Sequence, residues 1–129
     1  MSHFSEMKTK IRDERLLKKA LEKLGYAVET APTGVSVRGF FGETTPADFK
    51  IATGSTYVVG FRKSATGDYE VVGDWEILPR AAGLERETFL RGVKRAYAET
   101  AVREIAAERG LEVEMTEADG TVELVVSQW

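Results

Sequence analysis

Two stretches of the chain place apolar residues at the three-to-four-residue spacing of a helix, and most of the remainder alternates with the two-residue period of a strand. In the first helical stretch Leu16, Leu17, Ala20, Leu21 and Leu24 form the apolar stripe, with Lys18, Lys19 and Lys23 away from it. Asp13 supplies an N-cap carboxylate and Gly25 a stop, since glycine accepts the left-handed conformation that closes a helix. The second runs over residues 85–109, with Leu90, Val93, Tyr97, Ala101 and Ile105 on one stripe, widened by Phe89 and Val102. Its other side carries Glu87 with Arg91, Arg95 with Glu99 and Glu99 with Arg103 at i,i+4 spacing. Such pairs stabilise by only about 0.2–0.5 kcal/mol each, so burial of the stripe must decide the helix.

The strand pattern begins at residues 2–11, with Phe4 out of parity, and resumes with Tyr26, Val28 and Thr30. Ala31-Pro32-Thr33-Gly34 reads as a reversing turn, and Val35, Val37 and Gly39 return from it. Phe40 and Phe41 require either two covered faces or a bulge at Gly39. After a loop over residues 42–46, residues 47–53 form a strand with Phe49 and Ile51 on one side and Asp48 and Lys50 on the other. Tyr57, Val59 and Phe61 then lead to a turn at residues 64–68, and Tyr69, Val71, Gly73, Trp75 and Ile77 lead back, with Trp75 assigned to the core by parity. Residues 79–83 read as a linker. A last hairpin joins residues 111–115 to 121–127 through Glu117-Ala118-Asp119-Gly120, a strong turn signal.

The glycine stop and following strand at Leu24-Gly25-Tyr26-Ala27-Val28-Glu29 are echoed at Arg109-Gly110-Leu111-Glu112-Val113-Glu114. One reading is a pseudo-duplicated strand-helix-strand-strand unit; the other is chance recurrence of common residues. Both lead to an α+β fold, with an antiparallel sheet of about eight strands and two helices on one face.

A length of 129 residues suffices for one domain spanning residues 1–129, with a core that needs no disulfide or metal. The absence of cysteine excludes a disulfide scaffold, a thiolate metal site and a cysteine nucleophile. A formal charge of −3 gives no field to draw the molecule onto nucleic acid or an acidic membrane, and no apolar run is long enough to span a bilayer. With no signal peptide at the start, a cytoplasmic protein without membrane contact is expected.

Chemistry-bearing residues are sparse. His3 is the sole histidine, without a partner for a metal pair, so no metal or cofactor is assigned. Asp74 and Glu76 share a strand parity about 6.5–7 Å apart by strand rise. With Arg62 they make the one arrangement from which a small-molecule-binding or hydrolytic enzyme is built. A solvated face balanced by Arg62 and Lys50 is the simpler reading. Gly39-Phe40-Phe41-Gly42 lacks the lysine and helix of a phosphate loop. The cluster of Arg91, Lys94 and Arg95 near Tyr97 is offset by Glu87 and Glu99, which argues against a phosphate site. If both helices cover one face of the sheet, the other presents Asp48, Lys50, Arg62, Glu70, Asp74 and Glu76 around Val58, Val72 and Phe40. Apolar positions ringed by charge suit contact with a protein partner or a second copy.

The opening Met-Ser-His-Phe-Ser-Glu-Met-Lys-Thr-Lys-Ile and the leucine-lysine helix after it resemble a family of small proteins first described as hypothetical chloroplast open reading frame thirty-five. That family occurs in plastids, cyanobacteria and other bacteria. Val37-Arg38-Gly39 fits it, as do Gly73-Asp74-Trp75-Glu76, where the family has Ala-Asp-Trp, and the ending from Glu117 to Trp129. Lys94-Arg95-Ala96-Tyr97-Ala98-Glu99 departs from the family's arginine, tyrosine, alanine, tyrosine, histidine run, so no histidine role carries over. The resemblance supplies no catalytic residues. It implies an accessory protein, with an AAA-type ATPase as expected partner and the plastid stroma as the location of plastid relatives. A non-enzymatic protein-binding or adaptor module is therefore the leading expectation, and the carboxylate-based enzyme the alternative.

Overall fold

The structure, a computed structural model, describes residues 4–118 and 121–128. Strand β1 (Phe4–Lys8) is followed by helix α1 (Glu14–Lys23), then β2 (Val28–Arg38), β3 (Thr44–Ile51), β4 (Val59–Lys63) and β5 (Tyr69–Asp74). A short helix α2 (Leu78–Ala82), the long α3 (Arg86–Glu108), β6 (Leu111–Ala118) and β7 (Thr121–Gln128) complete the described chain. The strands are antiparallel and divide into a five-stranded sheet of order β1-β5-β4-β3-β2 and a separate ribbon of β6 and β7. The α+β class and antiparallel pairing hold, while a single sheet of about eight strands is corrected to these two. The last hairpin closes on itself after Gly110 and does not join the main ladder.

One face of the five-stranded sheet forms the core. Cross-strand register places Phe49 opposite Phe61 and Phe61 opposite Val71, with Ile51 opposite Val59. Phe49 and Phe61 stack with ring centroids 5.2 Å apart. Leu17 and Leu21 of α1 and Phe89, Leu90 and Val93 of α3 belong to the same cluster, which puts both long helices on this face. Phe89 is its aromatic hub, 5.8 Å from Tyr26, 5.8 Å from Trp75 and 6.5 Å from Phe61. Asp13 caps α1 as its side chain accepts from the Leu16 amide at 3.0 Å, and Gly25 follows the helix with φ +95°.

The buried stripe of α3 differs from the periodic expectation beyond Val93. Ala96, Thr100 and Ala106 are buried, whereas Ile105 is exposed. The far half of α3 packs against α1, and small side chains there let two helices approach. Glu104 receives hydrogen bonds from Arg15 and Lys19, and Glu99 from Lys23 and Arg103, so these carboxylates bind the helix pair together rather than only decorating an exposed face.

Three local expectations change. Residues 79–83 fall largely within α2, with Pro79 in its first turn, where the missing amide is harmless. Phe40 and Phe41 lie in the turn between β2 and β3, closed as the Gly39 amide donates to the Glu43 carbonyl at 2.8 Å. Ala31-Pro32-Thr33-Gly34 does not reverse the chain. Thr30 pairs with Phe49 and Val35 with Ala47, so four residues of β2 bulge opposite Asp48 alone. Gly34 has φ +88° at that bulge, a conformation available to glycine. The pseudo-duplication loses its first hairpin accordingly. The strand after α1 continues through the bulge and pairs with β3, while the strand after α3 pairs with β7 outside the main sheet.

The bulge sends the distal arm of β2 and β3 over the second face of the sheet. β3 pairs with β4 only from Phe49 to Ile51. Where it peels away, the Asp48 carboxylate accepts the Lys63 amide at 2.6 Å, replacing a lost ladder acceptor. Val37 and Ala47, carried on the arm, reach Gly60 so closely that a Cβ there would lie 2.4 Å from Val37 Cγ2 and 2.9 Å from Ala47 Cβ. Val37, Ala47 and Val72 are all buried. The second face is therefore not an open surface: Val72 lies in a small second core under the arm. The sequence shows only which residues share a parity, not that a neighbouring hairpin covers them.

Candidate protein-contact site

At the tip of the β2–β3 arm two phenylalanines stand in solvent. Phe40 is 52% and Phe41 65% exposed. Their rings meet edge-on, centroids 5.1 Å apart at 83°, and Phe40 also lies 6.5 Å from Tyr57. The turn is tied down from below. Asp74, only 1% exposed at the end of β5, accepts the Phe40 amide on Oδ2 at 2.8 Å and the Glu76 amide on Oδ1 at 3.2 Å. A cleft of about 380 Å³ opens beside the rings, lined by Phe40, Phe41, Asp74, Glu76, Ile77 and Arg80.

The residues of the expected contact face are dispersed by this geometry. Phe40, Asp74 and Glu76 come together at the cleft. Arg62 donates to Glu70 at 3.3 Å across β4 and β5, and Glu70 is buried. Lys50 bonds the Ser36 carbonyl and pairs with Glu29, each at 3.3 Å, and Asp48 serves the Lys63 amide. Val58 is half-buried and Val72 fully buried.

Asp74, Glu76 and Arg62 do not assemble as a reacting centre. Arg62 pairs with Glu70, and Asp74 lies four residues further along β5, about 13 Å by strand rise. Both Asp74 oxygens hold backbone amides, so its chemistry is that of an anchor. Among the described residues no three or more carboxylate or histidine side chains converge as metal ligands. His3 and the turn residues Asp119 and Gly120 lie outside the described residues.

Charge is concentrated elsewhere, between α1 and α3. The Arg15 hydrogen bonds, at 2.8 and 2.7 Å, and then that of Lys19 hold the Glu104 carboxyl down to about 2. Arg103, then Lys23, lowers the Glu99 carboxyl against the opposing effect of burial. On the core side, burial pushes the Tyr69 hydroxyl up to about 12, with Glu14 and Asp48 adding to the shift. These groups support the packing of the helices and the sheet. The Arg91, Lys94 and Arg95 positions lie on α3 away from the cleft, and Tyr97 is packed against the core.

The family described as protein of unknown function (DUF1257) matches residues 20–125, most of the chain, from the last turn of α1 through the whole of α3. The chain belongs to that family. The uncharacterized protein ycf35 of Cyanophora paradoxa is 28% identical over 131 residues, covering 100% of this chain and 98% of its own length. Those of Guillardia theta and Pyropia yezoensis are 28% and 29% identical with the same coverage. No solved structure matches.

In this DUF1257 chain Phe40 is legible from the sequence as a contact residue, whereas the anchoring role of Asp74 depends on a bond to a residue distant in the chain. Phe41 was available from the same dipeptide: two adjacent aromatic residues bracketed by Gly39 and Gly42 are a signal of an exposed turn. Among the described residues no helix is long and apolar enough to cross a membrane.

Proposed function

We propose that this chain is a non-enzymatic protein-binding module that seats a partner protein on the tip of the β2–β3 arm. The observation that carries the reading is the pair of exposed rings at Phe40 and Phe41 on a turn held by a buried carboxylate. Large aromatic side chains presented in a fixed geometry lose little conformational freedom on binding, and interfaces concentrate their affinity in such anchors. Glu76 and Arg80 beside the cleft supply charged groups for a polar rim, and Asp48, Lys50, Arg62 and Glu70 belong to the arm and sheet that support it. An AAA-type ATPase is the partner class to which the family resemblance points, with a second copy as the alternative.

The test uses the chain as bait in its native lysate, side by side with a Phe40→Ser/Phe41→Ser variant of unchanged circular dichroism. A partner retained by the parent and lost by the variant supports the module. Identical captures, or no partner for either bait, reject it.

A further inference from the structure

The ribbon of β6 and β7 differs in charge from everything before it. All 18 lysine and arginine residues precede Gly110, whereas Glu112, Glu114, Glu117, Asp119 and Glu123 follow it. Its register sorts side chains by face. Val113 stands opposite Val126 and Met115 opposite Leu124 at positions of one parity. Glu112 opposite Ser127, Glu114 opposite Val125 and Thr116 opposite Glu123 occupy the other.

This ribbon is poorly covered. Met115 and Val126 leave 39% and 44% of their surface in solvent. Its packing neighbour is α3, and among the described residues the outer edges of β6 and β7 have no strand beside them. A two-stranded ribbon is marginal in water, and an open edge is a template for another strand.

We propose that the outer edge of β6 takes up a strand from a partner protein in which apolar and basic residues alternate. Strand addition would satisfy the edge amides and carbonyls, extend the apolar face beside Val113 and Met115, and set lysine or arginine next to Glu112 and Glu114. The charge selects the occupant. A second copy pairing through β6 would bring its own Glu112 and Glu114 against these, and like charges across a ladder repel. The β7 edge is the poorer choice, with Glu123 its sole charged residue among described side chains. This surface is separate from the Phe40–Phe41 tip, on a different sheet, so either can fail without the other.

The experiment titrates the isotope-labelled full chain with a blocked peptide, Thr-Lys-Val-Lys-Val-Lys-Thr, and with its glutamate-for-lysine counterpart. The expected result is chemical-shift change and slowed amide exchange confined to residues 111–118 with the basic peptide alone, weakening as salt is raised. Glu112→Lys/Glu114→Lys should lower affinity for the basic peptide by about tenfold and bind the acidic one instead. Because both glutamates are exposed, the spectrum of the remaining residues reports that the variant is folded. Equal binding by parent and variant, shifts spread over other elements, no binding at all, or dimerisation of the chain through the ribbon would each overturn the proposal.

Discussion

The backbone amide of Phe40 donates to the buried carboxylate of Asp74 across 2.8 Å, joining the tip of the β2–β3 arm to the last residue of β5. These residues are 34 positions apart in sequence, and the bond explains why an acidic residue survives at 1% exposure. A buried carboxylate is tolerated when it is hydrogen-bonded.

Replacing Asp74 by alanine leaves the amides of Phe40 and Glu76 without their acceptor. Urea denaturation followed by tryptophan fluorescence should show a loss of about 1–3 kcal/mol, the usual cost of stranding buried polar groups. Asp74→Asn, which keeps one carbonyl acceptor, should lose less. An unchanged midpoint for Asp74→Ala would mean the arm is held by other contacts.

Gly60 is required by the closeness of the arm. Gly60→Ala places a methyl group 2.4 Å from Val37 Cγ2 and should destabilise by about 1–3 kcal/mol through overpacking. Adding Val37→Ala in the same chain removes the clashing branch. The double mutant should therefore be less destabilised than the sum of the singles, with a coupling of about 0.5–3 kcal/mol by denaturant titration. Strict additivity would separate Gly60 from the arm.

The two cores should respond differently to substitution. Leu21 is fully buried in the main cluster, and Leu21→Ala should cost about 2–5 kcal/mol by thermal or chemical melting. On the second face, Val72→Lys forces a charge under the arm and should abolish cooperative unfolding, whereas Val58→Lys at a half-buried position should leave a folded protein. A well-folded Val72→Lys protein would show that the arm does not cover that face.

Acid should loosen the helix pair. The folded-state carboxyl of Glu104 is depressed from 4.5 to about 2 by Arg15 and Lys19, and that of Glu99 moves in the same direction. A depressed carboxyl contributes stability that is present above its unfolded value and lost as pH falls through its folded value. The decline attributable to Glu104 therefore runs from about 4.5 down to about 2. Glu104→Gln should lower the melting temperature at neutral pH and flatten its dependence across that window. Parallel melting-temperature curves for parent and variant would remove Glu104 from the helix contact.

Sequence alone determined the periodic features of this protein. The stripes around Leu21 and Val93, the alternation through Phe61 and Val71, the capping Asp13 and the terminating glycines are local properties, each set by side-chain spacing or by one residue's backbone preference. The tertiary structure decided what lies over each face. Pro32 and Gly34 serve equally well in a turn or a bulge, and only the register of β2 against β3 makes them a bulge. That bulge buries Val72 and Asp74 and divides the anticipated contact face. It leaves Phe40 and Phe41 in solvent. Strand parity states which side chains point the same way; whether water or another strand meets them depends on pairings between residues distant in sequence, which no local pattern encodes.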